Sequence, residues 1–321
     1  MSYYQSKAIS NSALSYINPE QQGSAQKFYK WKIGELESEE SPSLERGDLI
    51  HKYKLEPDLY DVMSVKMPTE SIKNIIDDVL IHADGYDLSE MTDAILTAAA
   101  SREYGQSWKP ETLLKKVIEG GQEYFDAMQA ATGKQIISHD TMNVLTNATE
   151  SLDRNKSASE LLDTPSNDSV LYFNELEIYF EIDGVPTRSK LDRLIVNTVN
   201  KTFTVVDLKS TSKHIAKYAG AFEYYRTYRQ LAFYIQAAQA HLGPDYTPSA
   251  EHYIVACMTV EPFLTRVFSV RTDSKYIEIG NQEIHELLER IKVHTNSNNW
   301  VDEMETIQGQ TKFELKHEED Q

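Results

Sequence analysis

The chain has 321 residues, 40% of them hydrophobic and 26% charged, with one cysteine and a formal net charge of −18 at pH 7. That length and apolar share bury a large core and exclude wholesale disorder, while a lone Cys257 excludes a disulfide framework, a zinc ribbon and a four-cysteine iron-sulfur cluster. The segment Met1-Ser2-Tyr3-Tyr4 opens no apolar leader core and no apolar run is long enough to span a bilayer, so the expectation is a soluble cytoplasmic protein with no membrane partner.

Residues 8 to 31 begin with a short amphipathic helix that Ser10 or Asn11 caps. Glu35 to Ser43 is a polar, acidic, proline-containing loop. Leu49, Ile50, Tyr53 and Lys54 then fit a helix that Pro57 limits. His51 lies off its apolar stripe, and taken alone it reads as a surface or helix-end histidine. Ser71 to Ala83, Ser89 to Tyr104, Pro110 to Ala131 and Ser138 to Arg154 are successive helical patterns, a helical insertion over about 70–160. Asp87 and Lys109-Pro110-Glu111 mark helix starts, and Gly120-Gly121 interrupts or kinks the third helix. His139-Asp140, beside Ser138, reads as a helix cap rather than a metal site.

Val170 to Ile182 alternates as a strand, with Asp183-Gly184 as its hairpin turn. The stretch on which the chemistry depends follows, from Leu191 to Lys209. Val196, Val199, Phe203, Val205 and Val206 supply two strands, and Asn197 to Lys201 the turn between them. Antiparallel pairing about that turn brings Asp192 beside Asp207, and period-two geometry puts Lys209 on the face of Asp207. Two adjacent carboxylates repel, and burying them is costly. A hard divalent ion, Mg2+ with Mn2+ as a substitute, resolves the conflict and polarises water and phosphate, while the lysine steadies charge or orients the nucleophile. A plain Asp-Lys salt bridge is the competing reading, since Asp-x-Lys is a common tripeptide.

From Arg188 to Arg229 nine Lys or Arg stand against three acids, two of which are Asp192 and Asp207. The negative excess lies instead in Glu35 to Glu45 and Asp302 to Asp320. Lys213 to Ala219 is a basic approach to a long helix, about Ala221 to His241, on which Arg226, Gln230 and Tyr234 share a face at a spacing of four. Glu251 to Val260, holding Cys257 as a core thiol, and Phe263 to Val270 read as strands broken at Glu261-Pro262. Asp273 to His294 closes as an amphipathic helix, and 301–321 is an acidic, mobile tail.

Asp192, the hairpin, Asp207-Leu208-Lys209 and the Gln230/Tyr234 helix resemble the RecB-like branch of the PD-(D/E)XK nuclease superfamily, with Leu191 where that family often has Pro. Gly47-x-x-x-His51-x-x-x-Leu55-Glu56-Pro57-x-x-Tyr60 and Ile9-Ser10-Asn11-Ser12-Ala13-Leu14 are similar to segments of the RecE-type exonucleases of phages and prophages. The resemblance implies one α/β nuclease domain over 1–300: a central mixed β-sheet flanked by helices, the helical insertion, and a catalytic core at about 170–295. It implies that His51 joins Asp192 and Asp207 at the metal, with the Leu208 carbonyl as a further oxygen. A supporting acid on the preceding strand is implied to be Glu175, with Glu177 as the alternate. Gln230 is implied to contact a phosphate or base edge and Tyr234 to pack or stack, with Arg226 and Lys213 also at DNA.

The implied activity is a Mg2+-dependent deoxyribonuclease, a 5′-to-3′ exonuclease on duplex ends that leaves 3′ single strands for recombination. It works by in-line attack of an activated water, with Lys209 orienting it. A single-strand annealing protein as partner, a ring-like trimer or tetramer, and the bacterial host cytoplasm as location follow from the same resemblance. The alternatives are a structure- or site-specific endonuclease on the same core and a catalytically decayed DNA-binding or assembly protein.

Overall fold

The computed structural model describes residue 3 and residues 6–36, 41–83, 85–131 and 133–301. Helices α1 (Asn11–Ile17), α2 (Ala25–Ile33) and α3 (Pro42–Leu55) come first. Each starts at a serine whose hydroxyl accepts a backbone N–H: Ser10 from Ala13 at 3.2 Å, Ser24 from Lys27 at 3.0 Å, Ser41 from Leu44 at 3.2 Å. α3 stops two residues short of Pro57, whose ring disfavours helix in the residue before it.

A short strand β1 (Val62–Val65), helices α4 (Glu70–Leu80), α5 (Thr92–Ser101) and α6 (Pro110–Ala130), and strand β2 (Gln135–Ser138) form the next unit. β1 and β2 pair in parallel, and Ile75, Ile76, Leu88, Ile95, Val117 and Phe125 bury an apolar cluster of their own. The helical insertion expected over about 70–160 therefore carries a strand, β2, paired with β1 just ahead of it; strands of four residues hold only two repeats of the alternation. Gly120-Gly121 does not interrupt α6, which runs unbroken for 21 residues. The glycines let α4 approach: a Cβ on Gly120 would lie 2.8 Å from Ile72 Cδ1, and one on Gly121 2.8 Å from Ile76 Cδ1. Asp87 forms a capping box with Glu90, but on a single 3-10 turn, and α5 begins only at Thr92. α7 (His139–Arg154), capped by Ser138 through Thr141 N–H at 2.9 Å, and α8 (Lys156–Asp163) complete the first half.

The second half holds β3 (Val170–Ile182), β4 (Val185–Asn197), β5 (Thr202–Thr211), α9 (Tyr218–Tyr224), α10 (Thr227–Leu242), β6 (Thr247–Pro248), β7 (Glu251–Met258), β8 (Thr265–Arg271) and α11 (Lys275–Ser297). The sheet order is β3-β4-β5-β7-β8, with β6 also on β5. β5 and β7 run parallel and the other neighbours along that order antiparallel, so the sheet is mixed. Asp183 and Gly184, at φ 51° and 76°, make the β3-β4 turn. Cys257 is buried in β7, and burial pushes its thiol up to about 12. α1, α10 and α11 cover one face, with Leu14, Leu231, Phe233 and Leu288 in the main core, while α3, α7 and α8 cover the other.

The long helix expected over 221–241 is split. Arg226 takes a left-handed φ of 54°, ending α9 and starting α10. The expected tail lies outside the described residues beyond 301, as do residues 37–40 of the acidic loop.

Candidate active site

The site is built by a phase change in the β3-β4 ladder. Leu171, Phe173, Leu176, Ile178, Phe180 and Ile182 all belong to the α10-side core, so the alternation slips by one between 173 and 176. Glu175 sits at the slip, with φ 49° in mid-strand, where a side chain other than Gly is strained. Asn174 pairs Arg193 and Leu176 pairs Leu191, leaving Glu175 and Asp192 opposed but unpaired. β4 slips at the same place, since Leu191 and Leu194 both face the main core. Asp192 and Glu175 are thereby turned toward α3.

The β4-β5 ladder closes with Arg193 opposite Val206, which sets Asp192 beside Asp207 at the mouth of the pair. Asp192 Oδ2 accepts the Leu208 N–H at 2.7 Å, and Lys209 Nζ donates to Asp207 Oδ1 at 2.7 Å. α3 carries His51 to this point, its Nδ1 3.6 Å from Asp192 Oδ2. One ligand atom each from His51, Glu175 and Asp192 lies within 4.8 Å of the others. Asp207 is not in that threesome: it is 1% exposed, tied through Oδ1 to Lys209, and its Oδ2 is buried without a hydrogen-bond partner. Glu177, the alternate to Glu175, is exposed.

Crowding sets the electrostatics. Burial raises the Asp207 carboxyl to about 6, against the pull of Lys209 and with the neighbouring Asp192 adding to it. Burial also raises Asp192 and Glu175, opposed chiefly by Lys209 and Lys190 respectively. Burial would lower the Lys209 amine, but the charges of Asp207 and Asp192 outweigh it and the net shift is upward. Desolvation, with Lys209 close by, lowers His51 and keeps its imidazole available as a ligand. Three carboxyls held above their ordinary range, an orphaned Asp207 oxygen and a neutral imidazole fit a divalent cation with oxygen and nitrogen ligands.

A cleft of about 1250 Å3 lies over these groups, walled by Tyr3, Lys52, Tyr60, Lys213, Tyr225 and Tyr234. Gln230 donates to the Tyr234 hydroxyl at 2.7 Å, so the two act as a pair, and burial beside Asp192 and Asp207 holds the phenol neutral. Arg226 is not brought here. Its guanidinium is taken by Glu283, Glu20 and Tyr228, because the left-handed break removes it from the face of Gln230 and Tyr234. Sequence reasoning missed Lys190, whose Nζ is 2.5 Å from Glu175 Oε2 and 4.0 Å from Glu56 Oε2. Its position two residues before Asp192, on the same strand face, was the available signal.

This sheet, with two acids, a lysine and a helix-borne histidine at one edge, defines a nuclease core of the PD-(D/E)XK superfamily, whose members use divalent metals. Residues 10–310 match a family model described as a PDDEXK-like domain of unknown function (DUF3799), and the chain belongs to that family. No curated protein matches the chain. Among solved structures it is similar in fold to a protein from Eubacterium rectale named, provisionally, as an exonuclease. The TM-score is 0.50 at 10% identity, over 94% of this chain and 86% of that one. A second solved protein, SSO0001, aligns at a TM-score of 0.27 and 12% identity over 75% of this chain and 85% of that one, too distant to bear on the fold. No helix among the described residues is long and apolar enough to cross a membrane.

Proposed function

We propose that the protein is a Mg2+-dependent deoxyribonuclease, a 5′-to-3′ exonuclease that resects linear duplex DNA to 3′ single strands for recombination in the cytoplasm. The observation that carries the reading is the meeting of His51, Glu175, Asp192 and Lys209 on the floor of one cleft, with Asp207 buried against Lys209 beneath it. His51, Glu175 and Asp192 would hold the cation, with Asp207 and the Leu208 carbonyl within the same corner. A cation bound there supplies the Lewis acidity that polarises the scissile phosphate and its water. Lys209, kept charged by Asp207, orients the attacking water and offsets charge gathering on the phosphorus. Tyr234 positions the strand from the cleft wall, held by the hydrogen bond from Gln230 behind it, and Lys213 meets its phosphates. A single-strand annealing protein as consumer of the product, and a ring-like trimer or tetramer that keeps hold of the substrate, belong to the same reading.

The test is digestion of end-labelled linear duplex with Mg2+. Lys209→Ala and Asp207→Ala should each cut at least about 100-fold more slowly, and cleavage as fast as the parent's in both would remove the mechanism. Release of label from the 5′ end before the 3′ end, with supercoiled plasmid left intact, distinguishes the exonuclease from an endonuclease on the same core.

A further inference from the structure

Among the described residues the buried arginines are supplied with acceptors, with one exception. Arg193, 3% exposed, donates to Asn174 Oδ1 at 2.7 Å and to the Thr164 carbonyl at 2.5 Å. Arg229, 1% exposed, donates to Asn11 Oδ1 at 3.1 Å and Ser15 Oγ at 2.8 Å and faces Glu283. Each leaves one nitrogen unmatched. Arg188 is 6% exposed, yet its Nε and Nη1 are both buried without a hydrogen-bond partner, and among the described residues it has no ion pair. Its one contact of note is the ring of Tyr3, 4.6 Å from the guanidinium carbon. A ring face compensates a buried guanidinium only weakly.

The position of Arg188 says what would complete it. Residues 188, 190 and 192 alternate onto one face of β4, so Arg188 lies in a row with Lys190, which touches Glu175, and with Asp192. Four residues of strand place it about 13 Å along from Asp192, within a few nucleotides of the metal corner. Across the ladder its partner is Tyr179, whose ring also meets Tyr3, and Tyr3 itself lines the cleft. The guanidinium therefore packs, at 4.6 Å, on a ring that itself lines the space the substrate would fill. A planar fork of donors matches two oxygens of a phosphate, and a residue meant to accept an anion must not already be neutralised by a carboxylate.

We propose that Arg188 binds a phosphate group of the substrate strand, with Tyr3 as the displaceable cover over it; the proposal rests on the nuclease reading above. Arg188 is then retained for binding at a cost in stability, which separates it from a structural arginine.

The experiment measures affinity for short oligonucleotides bearing a 5′-phosphate or a 5′-hydroxyl, with Ca2+ in place of Mg2+ so that nothing is cut, together with thermal melting of the free protein. Arg188→Met should weaken binding about 10- to 100-fold and melt at the same or a higher temperature, and Arg188→Lys should lose part of that affinity. A loss confined to the phosphorylated strand assigns the terminal phosphate; an equal loss for both assigns an internal phosphodiester. Unchanged affinity in both variants, or weakened binding accompanied by a lower melting temperature, overturns the proposal and leaves the nuclease reading standing. A parent protein that binds neither oligonucleotide overturns both.

Discussion

Glu175 is the residue on which the acidic corner turns. Its left-handed φ in mid-strand costs backbone energy, and what it secures is a carboxylate aimed at His51 and Asp192 rather than alternating away from them. Glu175→Gln should weaken Mn2+ binding at least about 10-fold by calorimetry, the range typical when a metal site loses a supporting group. Glu177→Gln, at an exposed position on the same strand, should not; equal losses in both would remove Glu175 from the ligand set. His252 carries a different kind of prediction. It is fully buried, its Nδ1 accepts the Val205 N–H at 2.9 Å, and burial lowers it to about 4 from 6.5. The unfolded chain therefore binds a proton near pH 6.5 that the folded one refuses until about pH 4, so stability falls as pH falls through that window. Between about pH 7 and about pH 5 the loss is about 2 kcal/mol. Asp207, raised to about 6, works the opposite way in the ion-free protein. The measurement is thus the difference between the parent and His252→Asn in denaturant melts: the variant should lack this acid-side loss, and parallel pH profiles would refute it.

At the scale of elements, helix contacts here are closer than ordinary side chains allow. α10 and α11 meet at Gly280, where a Cβ would lie 2.9 Å from the Tyr228 carbonyl oxygen and 3.1 Å from Arg229 Cα. Backbone cannot step aside as a flexible side chain can. Gly280→Ala should destabilise by about 1–3 kcal/mol, seen as a lower melting temperature. Gly220→Ala in α9, where the Cβ meets nothing within 4 Å, should raise stability by about 0.4–1 kcal/mol. If the two substitutions move the melting temperature alike, the close packing of α10 on α11 is not what constrains position 280. The same helix pair explains Arg226. Once α9 ends in a left-handed residue, the guanidinium falls to Glu283 on α11 and Glu20 near α1, and it ties those helices together instead of reaching the cleft.

For the whole molecule, charge and metal are coupled. A chain at −18 is repelled by DNA except where basic residues gather, and Lys52, Lys190, Lys209 and Lys213 line the cleft around the acidic corner. The corner itself holds its carboxyls under mutual repulsion, which a bound cation would relieve. Mn2+ at about 100 times its dissociation constant should therefore stabilise the parent by about 2.7 kcal/mol. Asp192→Asn should show little of this, and a parent melting temperature indifferent to Mn2+ would mean the corner binds no ion.

Much of this protein was legible in its residues. Ser10, Pro57, Ser138 and the Asp183-Gly184 turn act on neighbours a few positions away, so they declare the ends of α1, α3, α7 and the β3-β4 hairpin without any fold around them. The β4-β5 hairpin is likewise local, and the juxtaposition of Asp192, Asp207 and Lys209 follows from its turn. The four-residue strands β1 and β2 were hidden because each holds only two repeats of the alternation, too few to stand out, and they pair across more than seventy residues. Tertiary packing alone decided that Gly120 and Gly121 serve a helix contact, that Arg226 breaks a helix, and that Arg188 is buried without an acceptor. It also turned Glu175, and not Glu177, toward His51 and Asp192. Apolar phase along β3 hinted at a slip, but which carboxylate turns inward depends on one left-handed φ, and that is held by the two ladders and by α3 packed above them. Turns and caps are settled by neighbours in the chain, whereas the acidic corner is settled by distant segments that approach only when the core closes.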